Sequence, residues 1–368
     1  MSIKGLLACF ALGSVLLSTG AFAQEVPALA NAKDDADRAR IQTLIDGARQ
    51  EGKLEWIGGF ISAEHGAKVI EAFKEYYGLD GFTVEHTFAG TGELITRVDQ
   101  LLNAKSNTFD VVWTASWGWY RDLLDRGELM EYRSPEYEAY TLSDAAGMSV
   151  DGYWVSDGYS NSPMFNTEAL DRLGIEFKGE SWAELLDPKL KGLISIPDPL
   201  TSATGAQTYI GMVKVMGPEW ISGLVANEPV RRAQAVQATG WLATGEIPVT
   251  FSHARETYSL KERGIPVKLT YPKEGVVMQP FAAVILASAP RPNAAKLFID
   301  FVRSAAGTQA VQDAGTLMFF GRPGVKSPDP EILPAWEEIK VVPMNWDEDA
   351  TPEDIEAVRD LFRAAGMK

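Results

Sequence analysis

The chain has 368 residues, 46% of them apolar and 10% aromatic, enough to fill more than one hydrophobic core. Its 34 basic and 50 acidic residues leave a net charge of −16, and no basic cluster exists to neutralise phosphates, which excludes a nucleic-acid binder. The single cysteine, Cys9, lies in the N-terminal apolar run, so the remaining chain excludes disulfides, thiolate-held metals and a cysteine nucleophile.

Lys4 precedes an apolar run over 6–17, and the small residues Ala21-Phe22-Ala23 follow it. That pattern predicts a signal peptide over 1–23, cleavage before Gln24 and export to the periplasm. The run is short for a membrane span. Residues 24–52 read as an N-terminal helical extension, with Ile41, Leu44, Ile45 and Ala48 at helical spacing and Gly52 as the stop. A strand over 54–57 ends in Gly58-Gly59, and Ser62 caps a helix that runs to Tyr77-Gly78. A strand over 82–86, the turn Gly90-Thr91-Gly92, a helix over 93–104, a strand over 109–113 and a helix over 119–127 follow. Strands alternating with helices of this length predict an α/β lobe with a mostly parallel sheet, its ligand loops after the strand C-termini.

A second lobe begins near Tyr159. It holds a helix over 181–186, a strand over 193–196, a long helix over 206–216 and a strand over 247–251. The hydrophobic stretch 276–289 is extended, 294–304 is an apolar-faced helix, 328–334 is turn-rich, and a last helix runs from Pro352 to about Ala365. The motif order sends the chain between lobes more than once. The first lobe takes 53–158 and 276–315; the second takes 159–275 and 316–368.

Enzyme signatures are missing: no Gly-x-Gly-x-x-Gly after a strand, no phosphate loop, no Gly-x-Ser-x-Gly elbow. His65, His86 and His253 stand far apart, without metal-binding spacing. The stretch 198–206 is the sharpest candidate for a site. There Ser202, Thr204, Gly205 and Ala206 open a helix, whose free N–H groups and hydroxyls suit an anion. An ordinary capped turn has the same residues. Gly90 and Thr91 offer a similar seat from the first lobe, or a simple helix cap. Thr114, Ser116 and Trp117 follow a strand, where Trp117 is a ligand-stacking surface or a packing residue. Tyr159 and Gln279 are pocket candidates at lobe transitions. The carboxylates Glu93 and Asp198 leave a secreted hydrolase as the reading of a different class.

The order of motifs resembles the iron(III)-type family of periplasmic solute-binding proteins of ABC transporters. The matching pieces are Gly90-Thr91-Gly92-Glu93-Leu94, Phe109-Asp110-Val111-Val112, Gly127-Glu128-Leu129, Phe165-Asn166-Thr167, Ser181-Trp182-Ala183-Glu184-Leu185-Leu186-Asp187-Pro188 and Tyr271-Pro272-Lys273-Glu274-Gly275, with 292–301 beyond them. Together they cover Leu54 to about Gly315. The resemblance implies a two-lobed, hinged α/β fold that closes on a ligand in the interlobe cleft. It implies no catalysis, no cofactor, a membrane permease as partner, and a monomer.

Family members that bind ferric iron carry adjacent tyrosines before a charged stretch ending in glycine. Here Ala254 and Arg255 stand there, counting back from Gly264, and Gly59-Phe60-Ile61 offers no histidine near the first strand. An arginine repels Fe(III), while its planar guanidinium suits a carboxylate or phosphate. The expected ligand is therefore a small organic anion held between the Ser202–Ala206 turn and Arg255. The alternative is ferric iron or another metal, with Tyr258 or His253 as ligand.

Overall fold

Asp34, Ser62, Asn166, Ser304 and Thr351 each accept the backbone N–H three residues on, and a helix starts at every one. Gly52, Gly78 and Gly174 end helices in the left-handed region that glycine adopts without strain. The structure, a computed structural model, describes residues 25–232 and 235–368, with only the backbone at 203, 204, 235 and 236. The signal peptide and its cleavage point lie outside the described residues. Among the described residues no helix is long and apolar enough to cross a membrane.

Among the described residues eleven strands form two sheets. They are β1 (Lys53–Gly58), β2 (Thr83–Phe88), β3 (Val111–Thr114), β4 (Ser149–Val150), β5 (Trp154–Ser160), β6 (Ser162–Asn166), β7 (Ile194–Pro197), β8 (Val230–Arg232), β9 (Val249–Ser252), β10 (Val267–Leu269) and β11 (Met278–Ile285). One sheet has the order β2-β1-β3-β11-β5-β4 and the other β10-β6-β9-β7-β8. The chain passes from the first to the second through Asn161 alone, between β5 and β6, and returns through 270–277 into β11. Beyond residue 317, Phe319 bridges to Gly158, Val341 bridges to Val276, and the helix Pro352–Ala364 packs on the helices Ala203–Met216 and Glu219–Ala226.

The expectation of mostly parallel sheets needs correcting. Parallel pairing holds for β1 with β2 and β3, and for β7 with β8 and β9. The pairs β3–β11, β11–β5, β5–β4, β10–β6 and β6–β9 are antiparallel. Only βαβ units impose parallel order, and the strands that carry the chain between sheets belong to none.

Strands β3, β5, β6, β7, β9 and β11 are buried along their whole length, as strands covered on both faces must be. Alternation sends Trp56, Val111 and Trp113 to one face, under the helices Ala63–Tyr77 and Pro292–Arg303, and Ile57 and Val112 to the other. The N-terminal helix Asp35–Glu51 packs on Pro292–Arg303. A buried ion pair joins the latter helix to β5: Arg303 donates to Asp157, both fully buried, with the guanidinium 5.3 Å from the Tyr140 ring.

His86 on β2 stacks on Trp56, with ring centroids 3.6 Å apart and planes 10° off parallel. Both ring nitrogens are buried without partners, and burial pushes the imidazole down to about 4. An unfolded chain, with histidine near 6.5, binds more protons between those values, so stability is full above about 6.5 and falls as pH drops toward 4. Because the ring is partly exposed, the loss should be about 1–2 kcal/mol. His86→Phe keeps the stack and should flatten this part of a stability-against-pH profile; an unchanged slope would place the titration elsewhere. Gly66 faces the same ring, and a Cβ there would lie 2.3 Å from Nδ1. Gly66→Ala should therefore cost about 1–3 kcal/mol in denaturant unfolding, and a neutral result would show that the ring can move aside.

Candidate functional site

The two sheets meet where β1 ends, β5 ends and the helix Ala254–Glu262 begins. Phe60 leaves β1 and stacks on Tyr159 at 5.0 Å, and His253 stands edge-on to Tyr159 at 4.8 Å. The His253 Nδ1 lies 3.1 Å from the Ser160 carbonyl, and burial, ahead of nearby charges, pushes its imidazole down. It is therefore neutral at pH 7.

Arg255 crosses this junction. It donates to the Phe60 carbonyl oxygen, its guanidinium carbon stands 4.3 Å from the Phe60 ring centre, and Nη2 donates to Glu256 at 2.7 Å. It is thus an interlobe residue. Burial pushes the Glu256 carboxyl up, but the Arg255 guanidinium outweighs it and holds the group below its usual range. A cation over an aromatic face beside a buried carboxylate is a polarised seat at the junction.

The Ser202 hydroxyl caps the helix Ala203–Met216, accepting the Gly205 N–H at 3.0 Å, and its carbonyl accepts the Ala206 N–H. The Thr204 side chain lies outside the described part. This helix follows β7 and the Arg255 helix follows β9, strands that are neighbours and parallel, so both helices start at the same edge of the sheet.

On the other sheet, the Thr91 and Thr114 hydroxyls are 3.3 Å apart. Gly59 admits them: a Cβ there would lie 2.8 Å from the Thr114 hydroxyl and 3.3 Å from that of Thr91. Gly90 caps the helix Thr91–Asn103 facing open space. Ser116 caps the next helix without a side-chain bond. Trp117 is core: its ring stands edge-on to Trp154 and its indole N–H donates to Asp347 at 2.7 Å. Gln279 pairs with Tyr159 in register, and its amide nitrogen lies 3.4 Å from the Thr208 hydroxyl, which also accepts from Asn161 at 3.1 Å. Gln279 therefore links the six-stranded sheet to the helix Ala203–Met216. Tyr258 stands near Glu262 and Asp329. Among the described residues no three His, Cys, Asp or Glu side chains are grouped to hold a metal ion.

Sequence reasoning missed Phe60 and Gly59 as site formers, and it missed Glu256 and Arg232. Alternation along β8 was the available signal for the last, since it leaves Arg231 exposed and Arg232 buried. A cavity of about 830 Å³ lies elsewhere, lined by Met148, Lys214, Trp336 and Met344 among others. Its lysine is engaged by Asp349, so the polarised junction is the better candidate for an anion.

The profile of a family described as bacterial extracellular solute-binding protein matches residues 65–317. An uncharacterised protein of Haemophilus influenzae is 26% identical over 254 residues, covering 67% of this chain and 71% of that one. The periplasmic binding protein AfuA of Actinobacillus pleuropneumoniae, solved with fructose-6-phosphate, superposes with a TM-score of 0.72 at 21% identity, over 85% of this chain and 98% of that one. Iron-bound HitA of Pseudomonas aeruginosa gives 0.65 at 22%, over 85% and 99%. Ferric-ion-binding proteins of Pasteurella haemolytica and Campylobacter jejuni superpose as well, each at a TM-score of 0.67. At these identities the superpositions speak for the two-lobed fold.

Proposed function

Since this chain belongs to the bacterial extracellular solute-binding proteins, we propose that it captures a small organic anion and delivers it to a membrane permease. The family's role is transport, not catalysis, and it is exercised outside the cytoplasm as part of an ABC importer. The observation that carries the anion is Arg255, whose guanidinium spans the junction between the lobes. Ligand entering there exchanges water for this cation and for the N–H groups at the start of the helix Ala203–Met216. Closure then stabilises the bound state by contacts from both lobes. Thr91 and Thr114 offer hydroxyls from the opposite sheet.

Ferric iron is the second reading, favoured by the iron-bound relative in fold. Against it, Tyr258 stands beside the acids Glu262 and Asp329, and Tyr159 is stacked on Phe60 with its phenol pushed up by burial, which opposes the phenolate that Fe(III) requires. Titrating the protein with chelated iron(III) should give no visible phenolate-to-iron charge-transfer band. A strong band with one-to-one uptake would replace the anion by iron.

A further inference from the structure

Arg232, Arg291 and Arg303 are the buried arginines among the described residues. Arg291 pairs with Asp110 and Glu55, and Arg303 pairs with Asp157. Arg232, 5% exposed, has no carboxylate within 4.0 Å among the described residues. It reaches from the end of β8 past β7 to donate to the Phe251 carbonyl on β9, and its Nε has no partner. Its own carbonyl accepts the Asp198 N–H, which ties it to the segment leading into the helix Ala203–Met216.

Two more buried polar atoms without partners stand at this edge. They are the Ser252 hydroxyl at the end of β9 and Oε2 of Glu256, in residues 0% and 8% exposed. In the half built on the five-stranded sheet, these three are the described side-chain atoms so left, and all sit where β8 and β9 end. Leaving a buried donor or acceptor unpaired costs about 1–3 kcal/mol each, so a cluster is retained where a ligand completes it.

The three atoms are a negative image of what would fill them. Arg232 Nε only donates and asks for an anionic oxygen; Glu256 Oε2 only accepts and asks for an O–H or N–H; Ser252 takes either. Resting on the anion reading above, we infer that the ligand is an organic anion that also carries a hydrogen-bond donor: Arg232 adds a second cation to the anion seat at Arg255, and Glu256 accepts from the ligand's hydroxyl or amine. An iron ion, sulfate or a plain alkyl carboxylate or sulfonate leaves one half unpaired. Specificity of this kind is strong, because an analogue lacking the donor strands the buried carboxylate.

The test uses paired probes that differ by hydroxyl groups: glucose 6-phosphate with n-hexyl phosphate, glycerate with propionate, and 2-hydroxyethanesulfonate with ethanesulfonate. Thermal unfolding is followed at rising concentrations for the parent, Glu256→Gln and Arg232→Lys, with circular dichroism confirming that each variant is folded. In at least one pair the hydroxylated member should bind the parent at least tenfold more tightly. Glu256→Gln should erase that preference, and Arg232→Lys should weaken the hydroxylated member at least tenfold. Equal binding of both members in every pair overturns the donor assignment and leaves the anion standing. A preference that survives Glu256→Gln, or tight binding that survives Arg232→Lys, removes the respective residue from the site. Stabilisation by none of the six overturns this inference and the anion reading together.

Discussion

Asp157→Ala should destabilise the protein by roughly 3–5 kcal/mol, because it strands a guanidinium that has no route to water. Arg303 and Asp157 are both fully buried, Nη1 of Arg303 donates to Asp157, and its Nε and Nη2 have no partner among the described residues. Around them stand the rings of Trp113 and Tyr140, which stack on the cation without replacing a counter-charge. Denaturant unfolding monitored by tryptophan fluorescence would show the loss as a lower midpoint. The double variant Asp157→Leu with Arg303→Met should recover most of it, since an apolar pair escapes the desolvation that a lone ion incurs. A single variant as stable as the parent would mean that water reaches the arginine.

Arg255→Ala should weaken ligand binding by roughly 10- to 150-fold, the span expected from removing a charged hydrogen-bonding partner in a desolvated site. Calorimetry with ligand recovered from the denatured protein measures it. The same change removes the contact with the Phe60 carbonyl and the counter-charge of Glu256, so the carboxyl should also titrate higher in the variant. Ser202→Ala should act differently. Its hydroxyl caps a helix, and losing a cap costs about 1 kcal/mol of stability, with a smaller effect on affinity because backbone donors remain. Parent-like affinity in Arg255→Ala would reduce the arginine to an interlobe brace.

The legible parts of the fold were those with local causes. The helices Asp35–Glu51, Ala63–Tyr77 and Pro352–Ala364 carry apolar stripes and capping residues within a few positions of their ends. Strand direction has no local cause, so the antiparallel entry of β11 beside β3 was invisible. So was the pair β5 and β6, which runs through 154–166 with one residue between and is buried on both faces, leaving no period-two signal. At the site, Arg255 stood out because it occupies a position filled differently in iron binders. Trp117 misled, since a post-strand loop was expected and a helix begins there, turning the indole toward Trp154 and Asp347. Arg232 went unnoticed because residue type argues for exposure, against the alternation along β8 that buries it.

The position of β11 has a consequence for how the chain reaches its compartment. That strand lies in the interior of the six-stranded sheet, with β3 on one side and β5 on the other, although about 164 residues separate β3 from it in the sequence. A nascent chain that has passed residue 160 but not residue 278 has β1–β3 and β5 but lacks the strand that joins them. Its first lobe then exposes two unpaired edges and cannot complete its core. Contacts so distant in sequence form slowly, since a long loop must be closed before they repay the entropy of closing it. A chain that lacks its keystone until late in synthesis stays extensible, and an extensible chain is the form that threads through a membrane pore. The same order of strands that carries the chain between two lobes therefore leaves the six-stranded sheet incomplete until late in synthesis.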